Sequence, residues 1–314
     1  MIARRTRRYW VALAIPGLAL VLAGAGLRST ANQHAPQRAS PLPAVSIFIV
    51  AGQSNAIGFG TNAAHLPPEY NTPLPVVRHW YELGSDASID DPLLRRTSGD
   101  QFEELAPLAD PTGEMFGGAA AGFGPEIGLG HALAASVDTE VAILKFGFGA
   151  TDLTHHWNPQ TPGGLYQQLL AEVAAVRARL ASQQRVSSVR GFFWVHGEND
   201  ATDFIMALEY GSNLQAFVRS LRVDLSEPRL PVVVSRLNVF LPTAPGANFD
   251  YVDVVRFGQL QAVNALGSAR LVDTDDLELA PHPMHFASLG QLDLGQRMAQ
   301  AWHSVTDPVP EFPQ

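Results

Sequence analysis

Five apolar runs punctuate the chain, at residues 45–51, 76–83, 141–146, 189–195 and 231–239. Each is rich in β-branched and other apolar side chains with little alternation, the pattern of a strand buried on both faces. Apolar residues then recur at helical spacing in three stripes. The first holds Leu165, Leu169, Leu170, Val173, Val176 and Leu180; the second Leu214, Phe217, Val218, Leu221 and Leu225; the third Leu294, Met298, Ala301 and Trp302. Strands alternating with amphipathic helices predict an α/β fold, with a mostly parallel central sheet covered by helices on both faces. Crossovers in such sheets are right-handed, and sites gather at the carboxyl ends of the strands. Residues 84–124 break the rhythm with Asp, Gly and Pro, and read as a long loop or insertion beside the site. There is no internal repeat and no second domain.

The N-terminus follows a different pattern. Arg4, Arg5, Arg7 and Arg8 precede an apolar run, and small residues follow at positions 23–26. This is the order of a secretory signal. Arg7-Arg8 within Thr6-Arg7-Arg8-Tyr9-Trp10 also resembles a twin-arginine signal, which implies export after folding. Residues 1–27 are therefore expected to be an export signal, or an N-terminal membrane anchor if uncleaved. Residues 28–44 read as a linker, 45–304 as a single domain and 305–314 as a tail. The expected location is periplasmic or secreted, and a membrane is a partner only if the signal is retained.

Charge and composition narrow the chemistry. The chain carries −9 overall, and residues 1–44 hold six arginines and no acid, so −9 less six positive charges leaves −15 for the rest. Such a body repels phosphate backbones, which argues against nucleic acid as a partner. With no cysteine there is no disulfide, thiol nucleophile or Cys-ligated metal.

Four segments past strand ends hold the candidate chemistry. Gly52-Gln53-Ser54-Asn55 places a serine directly after a buried run, where it is either a nucleophile or a helix-capping turn residue. His285 precedes a helix expected over 287–302 and is either the base for that serine or a capping or surface histidine. His196-Gly197-Glu198-Asn199-Asp200 offers acids that orient a histidine and an amide that donates to an oxyanion, or else caps a helix. Lys145 to Leu153 offers glycines for close approach at Gly147 and Gly149; Lys145, the only lysine, is expected to bury its stem and solvate its head. Trp157, Phe148 and Trp80 are candidates for a sugar-stacking rim, with core packing as the alternative.

Together these segments resemble a known family. Gly52-Gln53-Ser54-Asn55, Gly124-Pro125-Glu126-Ile127, the run 145–153 with His156-Trp157-Asn158-Pro159, the run 194–201, and His285-Phe286 followed by Leu294-Gly295 occur in the order seen in SGNH hydrolases. The branch they resemble is the sialate O-acetylesterase-like and acetylxylan esterase group, carbohydrate esterase family 6. The resemblance implies a three-layer α/β/α, flavodoxin-like sandwich and removal of O-acetyl groups from a sugar or polysaccharide, with no cofactor and no metal. It implies Ser54 as nucleophile and His285 as general base; Glu198 matches the glutamate of the family's Gln-Gly-Glu motif and, with the family's usual aspartate missing, is expected to be the principal orienting acid. Oxyanion donors are then Ser54, Gly149, Ala150 and Asn199, and Gln53, Asn55, Trp157 and His196 contact substrate. The sequence departs from the pattern in three places: His282 stands where the branch has an aspartate three residues before the histidine, His196 replaces a glutamine, and Ala150 replaces a glycine. Asp276 and Asp273 are the fallback acids.

Two other classes stay open on the residues alone. One is a carbohydrate-binding protein on the same fold with catalysis lost at His282. The other is a metal-dependent hydrolase using His155, His156, His196, His282 and His285 with Asp273, Asp275 or Asp276.

Overall fold

The computed structural model describes residues 42–238, 249–281 and 284–306. The expected signal 1–27, most of the linker, the tail from residue 307 onward and His282 lie outside the described residues. Among those described, no helix is long and apolar enough to cross a membrane.

The first apolar run forms β1 (Ala44–Gly52), buried from Val45 onward. Its side chains alternate between two cores. Val45, Ile47, Ile49 and Ala51 enter the core built with α3 (Leu165–Ser182), α4 (Phe204–Asp224) and α5 (Val252–Leu266). Phe48 and Val50 enter the core built with α2 (Glu126–Ser136) and α6 (Ser288–Thr306). A strand that must be apolar on both faces shows no polar alternation, which is why it reads as an unbroken run. The result is the three-layer α/β/α sandwich.

The other parallel strands are β2 (Leu74–Ser85), β3 (Glu140–Gly149), β4 (Val186–Val195), β5 (Val232–Ser235) and β6 (Ala269–Val272). Their spatial order is β6-β5-β4-β1-β3-β2, and short antiparallel pieces at Arg96–Thr97 and Glu103–Leu105 pair with β2. The chain leaves β1 for β2, returns to β3, then crosses to β4 on the other side of β1. The order therefore reverses at β1, and a crevice opens at its carboxyl end.

Four elements departed from expectation, one of them helix α5, which none of the three stripes covers. The fifth run keeps only Val232–Ser235 in the sheet. Strand β6 was hidden because its four residues include the exposed Arg270. Helix α2 was hidden by Gly128 and Gly130. Gly128 is needed where α2 meets α6: a Cβ there would lie 2.1 Å from the Leu292 carbonyl oxygen.

A buried ion pair fixes the mouth of this crevice. Lys145 Nζ on β3 lies 2.8 Å from Glu126 Oε1 at the start of α2, and neither side chain is solvent-accessible. The same ammonium donates to the Ile57 carbonyl at 2.8 Å, and Glu126 accepts from the Gly124 N–H at 3.0 Å. The Lys145 head is thus buried, contrary to the expected solvated one. Its partners are a carboxylate and a carbonyl rather than water. Removing one partner of such a pair leaves an uncompensated charge, a loss of about 3–5 kcal/mol. Urea unfolding of Lys145→Met should show a loss of that size, and the double variant Lys145→Met/Glu126→Leu should recover most of it. Unchanged stability in the single variant would contradict this role.

Candidate active site

Ser54 opens a one-turn helix, α1 (Ser54–Ile57), directly off the end of β1. The exit requires Gly52. Its φ of +146° suits glycine, and a Cβ there would lie 1.9 Å from the Val195 carbonyl oxygen. Gln53 N–H donates to that same Val195 carbonyl at 3.1 Å, and the Gln53 carbonyl accepts from the Ala56 N–H at 2.8 Å. The turn is therefore fixed on both sides of the serine.

His285 arrives from the loop before α6. The Ala280 N–H donates to the His285 carbonyl and the Ala287 N–H to the Glu278 carbonyl, each at 2.9 Å, closing the loop as a hairpin around the Leu279–Phe286 bridge. The His285 ring packs on Phe59 at 4.8 Å between centroids. Its Nε2 stands 3.0 Å from Ser54 Oγ. That distance allows Oγ to pass a proton to the ring, the geometry an activated serine needs.

Asn55 ties the two loops together. Its Nδ2 donates to Glu198 Oε1 at 2.5 Å and to the Met284 carbonyl at 3.2 Å, while its Oδ1 accepts from the Phe286 N–H at 3.2 Å. Asn55 is fully buried. It is a clamp holding the residues on both sides of His285, not the substrate contact expected of it. Gln53 lines the cleft, but its Oε1 accepts from the Gly197 N–H at 3.3 Å.

Glu198 does not hold the His285 ring as expected. Its Oε1 bonds Asn55 and its buried Oε2 has no hydrogen bond. Burial pushes its pKa up, against the Asn55 bond that lowers it. The fallback acids face elsewhere: Asp276 is bound by Arg297 at 2.6 and 2.9 Å, and Asp273 lies 3.4 Å from Arg236. Asp275 is bound by Arg256, so the acids of the metal alternative are paired with arginines. Among the described residues, no three metal-ligating side chains cluster.

Gly149, Ala150 and Asn199 line the same cleft as Ser54 and His285, a cavity of about 530 Å³. Ala150 takes a left-handed φ of +57°. Asn199 starts the short 3-10 turn Asp200–Thr202 but makes no capping bond with its side chain. The Ser54 N–H, first in its helix, has no intrahelical acceptor.

The turn carrying Gly149 and Ala150 is held by two acids. Asp200 accepts from the Leu153 N–H at 3.1 Å; burial and the nearby Asp152 push its pKa well up. Asp152 faces His156 Nδ1 at 2.6 Å and accepts from the His155 N–H at 2.6 Å.

Three expected sugar contacts belong to the core. Trp157 is fully buried among Phe146, Trp194 and Phe217, with its Nε1 bonded to Thr151. Trp80 is buried and donates to Glu172, and Phe148 is buried against Phe146. His196 is buried too, stacked on Trp194 at 4.6 Å, and burial holds its pKa down at about 3, so it stays neutral. Large aromatic faces fill this core because both sides of the sheet are covered. The cleft wall comes instead from Ile57, Phe59, Met284 and Phe249, with Leu94, Glu114 and Met115 from the 84–124 insertion. Only the insertion was signalled in the sequence, by its length and composition.

A doubly covered parallel sheet with a serine–histidine cleft at its central strand end is the architecture of the SGNH-type hydrolases. Residues 44–304 match the family described as carbohydrate esterase, sialic acid-specific acetylesterase, and the chain belongs to that family. It is thus a carboxylic ester hydrolase of the carbohydrate esterase class. A protein of Arabidopsis thaliana named a probable carbohydrate esterase is 26% identical over 279 residues, covering 88% of this chain and 96% of that one. A solved structure of an Arabidopsis thaliana protein aligns with TM-score 0.61 at 22% identity, over 84% of this chain and 99% of the other. NanS aligns with TM-score 0.58 at 17% identity over 85% and 98%, and a carbohydrate acetylesterase of Xanthomonas citri with 0.54 at 19% over 83% and 56%.

Two predictions follow from the geometry. Because Glu198 reaches His285 only through Asn55, Glu198→Gln keeps an accepting oxygen and should retain most turnover, whereas Asn55→Ala should lower kcat at least tenfold with less change in KM. Steady-state kinetics decide this; Glu198→Gln as inactive as His285→Ala would show a direct role instead. The second concerns pH. Burial opposes ionisation of Asp152, but bonds from His156 and His155 outweigh it and bring its pKa down from 3.8 to about 2. The Asp152 bond raises the pKa of His156 above 6.5. The lowered acid stabilises the fold above pH 3.8 and loses that contribution as pH falls toward 2. The raised histidine stabilises it below pH 6.5 and loses its contribution as pH rises through the folded pKa. The stability gap between wild type and Asp152→Asn should therefore be widest between about pH 4 and 6.5 and narrow on both sides, read from urea midpoints.

Proposed function

We propose that the protein removes an O-acetyl group from a carbohydrate hydroxyl through a covalent seryl ester. The observation that carries this reading is the 3.0 Å contact between Ser54 Oγ and His285 Nε2 at the cleft, on a chain of the carbohydrate esterase family. The named relatives support the acetyl ester of a sugar as the substrate class, since one is a carbohydrate acetylesterase and another a probable carbohydrate esterase.

In this mechanism Ser54 Oγ attacks the ester carbonyl carbon while His285 takes the hydroxyl proton. The oxyanion receives hydrogen bonds from the Ser54 N–H, the Gly149–Ala150 backbone and the Asn199 side chain. As the carbon–oxygen bond to the sugar breaks, His285 returns the proton to the leaving alkoxide. Water then attacks the acetyl-serine, again losing its proton to His285, and acetate departs as Ser54 regains a proton. Export through the order of residues in 1–27 would place this reaction on sugars outside the cytoplasm.

Acetate release from an acetylated sugar tests the proposal. Ser54→Ala and His285→Ala should each lower kcat at least about 10³-fold, because residues acting as a unit fail together. Asn199→Ala should lower kcat about 10²-fold with KM little changed, as loss of one oxyanion donor does. Near wild-type turnover in Ser54→Ala would reject the seryl mechanism, and a change confined to KM would place Asn199 in binding.

A further inference from the structure

The family's description names an acidic sugar, and sialic acid bears a carboxylate ionised at neutral pH. Carboxylate recognition calls for a cation, most effectively arginine. Among the described residues the cleft around Ser54 has none: the lining side chains include two acids, Glu114 and Glu198, and no lysine or arginine. The segments outside the described residues nearest in sequence to the lining do not supply one, since 239–248 contains no basic residue and 282–283 is His-Pro.

The nearby cations are already bound. Lys145 is inaccessible against Glu126. Arg95 follows the lining residue Leu94, yet its Nη1 bonds Glu82 at 2.6 Å, its Nε bonds the Ser88 carbonyl at 2.8 Å, and its guanidinium lies over the Phe148 ring. Arg96 reaches the Ala109 carbonyl and lies 3.9 Å from Asp110.

Glu114 is exposed and forms no ion pair among the described residues, and it sits on an arm that is firmly built. A two-stranded ladder of Leu108–Ala109 with Ala121–Gly122 closes the arm at its base. Buried Asp110 accepts from the Met115 N–H at 2.8 Å, the Phe116 N–H at 3.2 Å and Thr112 Oγ1 at 3.0 Å. The Gly60 N–H donates to the Phe116 carbonyl at 3.3 Å, which joins the arm to the chain just past Phe59, against which His285 packs. The arm thus presents one carboxylate and one thioether, Met115, to a wall that is otherwise largely apolar.

We propose that this cleft selects acetyl esters of uncharged sugars over acidic ones, and that Glu114 is the specificity-determining residue that disfavours an anionic substrate. The inference rests on the esterase reading above. A like charge across the cleft raises the cost of productive binding, while a neutral acetylated sugar offers apolar C–H and methyl faces to Phe59, Leu94 and Met115.

The test compares kcat/KM of the full chain for acetate release from an acetylated xylo-oligosaccharide and from an O-acetylated sialic acid, with Ser54→Ala as background. Wild type should favour the neutral ester at least tenfold. Glu114→Lys should raise the ratio of acidic to neutral kcat/KM about tenfold at low salt. Glu114→Gln should move it the same way by less, and added salt should shrink the effect of the lysine, since exposed charges are screened. A wild-type preference for the sialic ester, or an unchanged ratio in Glu114→Lys with native circular dichroism, overturns the proposal. Acetate release from neither ester overturns the esterase reading itself, and this proposal with it.

Discussion

The fold's working end depends on one buried charge pair. The ammonium of Lys145 and the carboxylate of Glu126 meet out of contact with water. Each would be costly to bury alone. Together they join β3, the start of α2 and the end of the short helix carrying Ser54, since Lys145 also holds the Ile57 carbonyl. A four-residue helix has little stability of its own. Its position is set by groups outside it, among them the Lys145 ammonium on the Ile57 carbonyl and the Gln291 amide on the Asn55 carbonyl. The low dielectric that makes the pair costly to break also makes it directional, because only one placement of α1 satisfies the third bond.

The second constraint is neutral. Asn55 follows the serine in sequence and bonds the carbonyl before and the amide after His285. The nucleophile and its base come from segments 231 residues apart, yet adjacent residues of each are linked by an amide side chain. Glu198 anchors that amide from the end of β4. The segments carrying Ser54, Glu198 and His285 thereby converge on Asn55, with Glu198 meeting that amide rather than the histidine ring.

Much of this was legible in the sequence where burial dictated it. The runs at 45–51 and 189–195 are apolar because both sheet faces are covered, and they appear as β1 and β4. Ser54 and His285 stood out by their place after a strand and before a helix, but it was the family resemblance that favoured nucleophile and base over a turn serine and a surface histidine. Pairing was not legible. Nothing local distinguishes a glutamate that holds an asparagine from one that holds a histidine. Trp157 and His196 looked like cleft residues because their neighbours are, but Trp157 packs in the core against Trp194 and Phe217, and His196 between Trp194 and Tyr210. Short or glycine-containing elements such as β6 and α2 leave no periodic trace, since their packing partner is remote in the chain.

The burial of Lys145 also has a practical side. It is the only lysine in the chain, and its amine is sealed inside the folded body. Amine-directed labels and crosslinkers therefore find no lysine side chain on the native protein. A lysine-specific protease finds its single cleavage point only when the sheet and α2 part. One cut between positions 145 and 146 then becomes a counter of global opening events, separating breathing of the loops from loss of the whole structure.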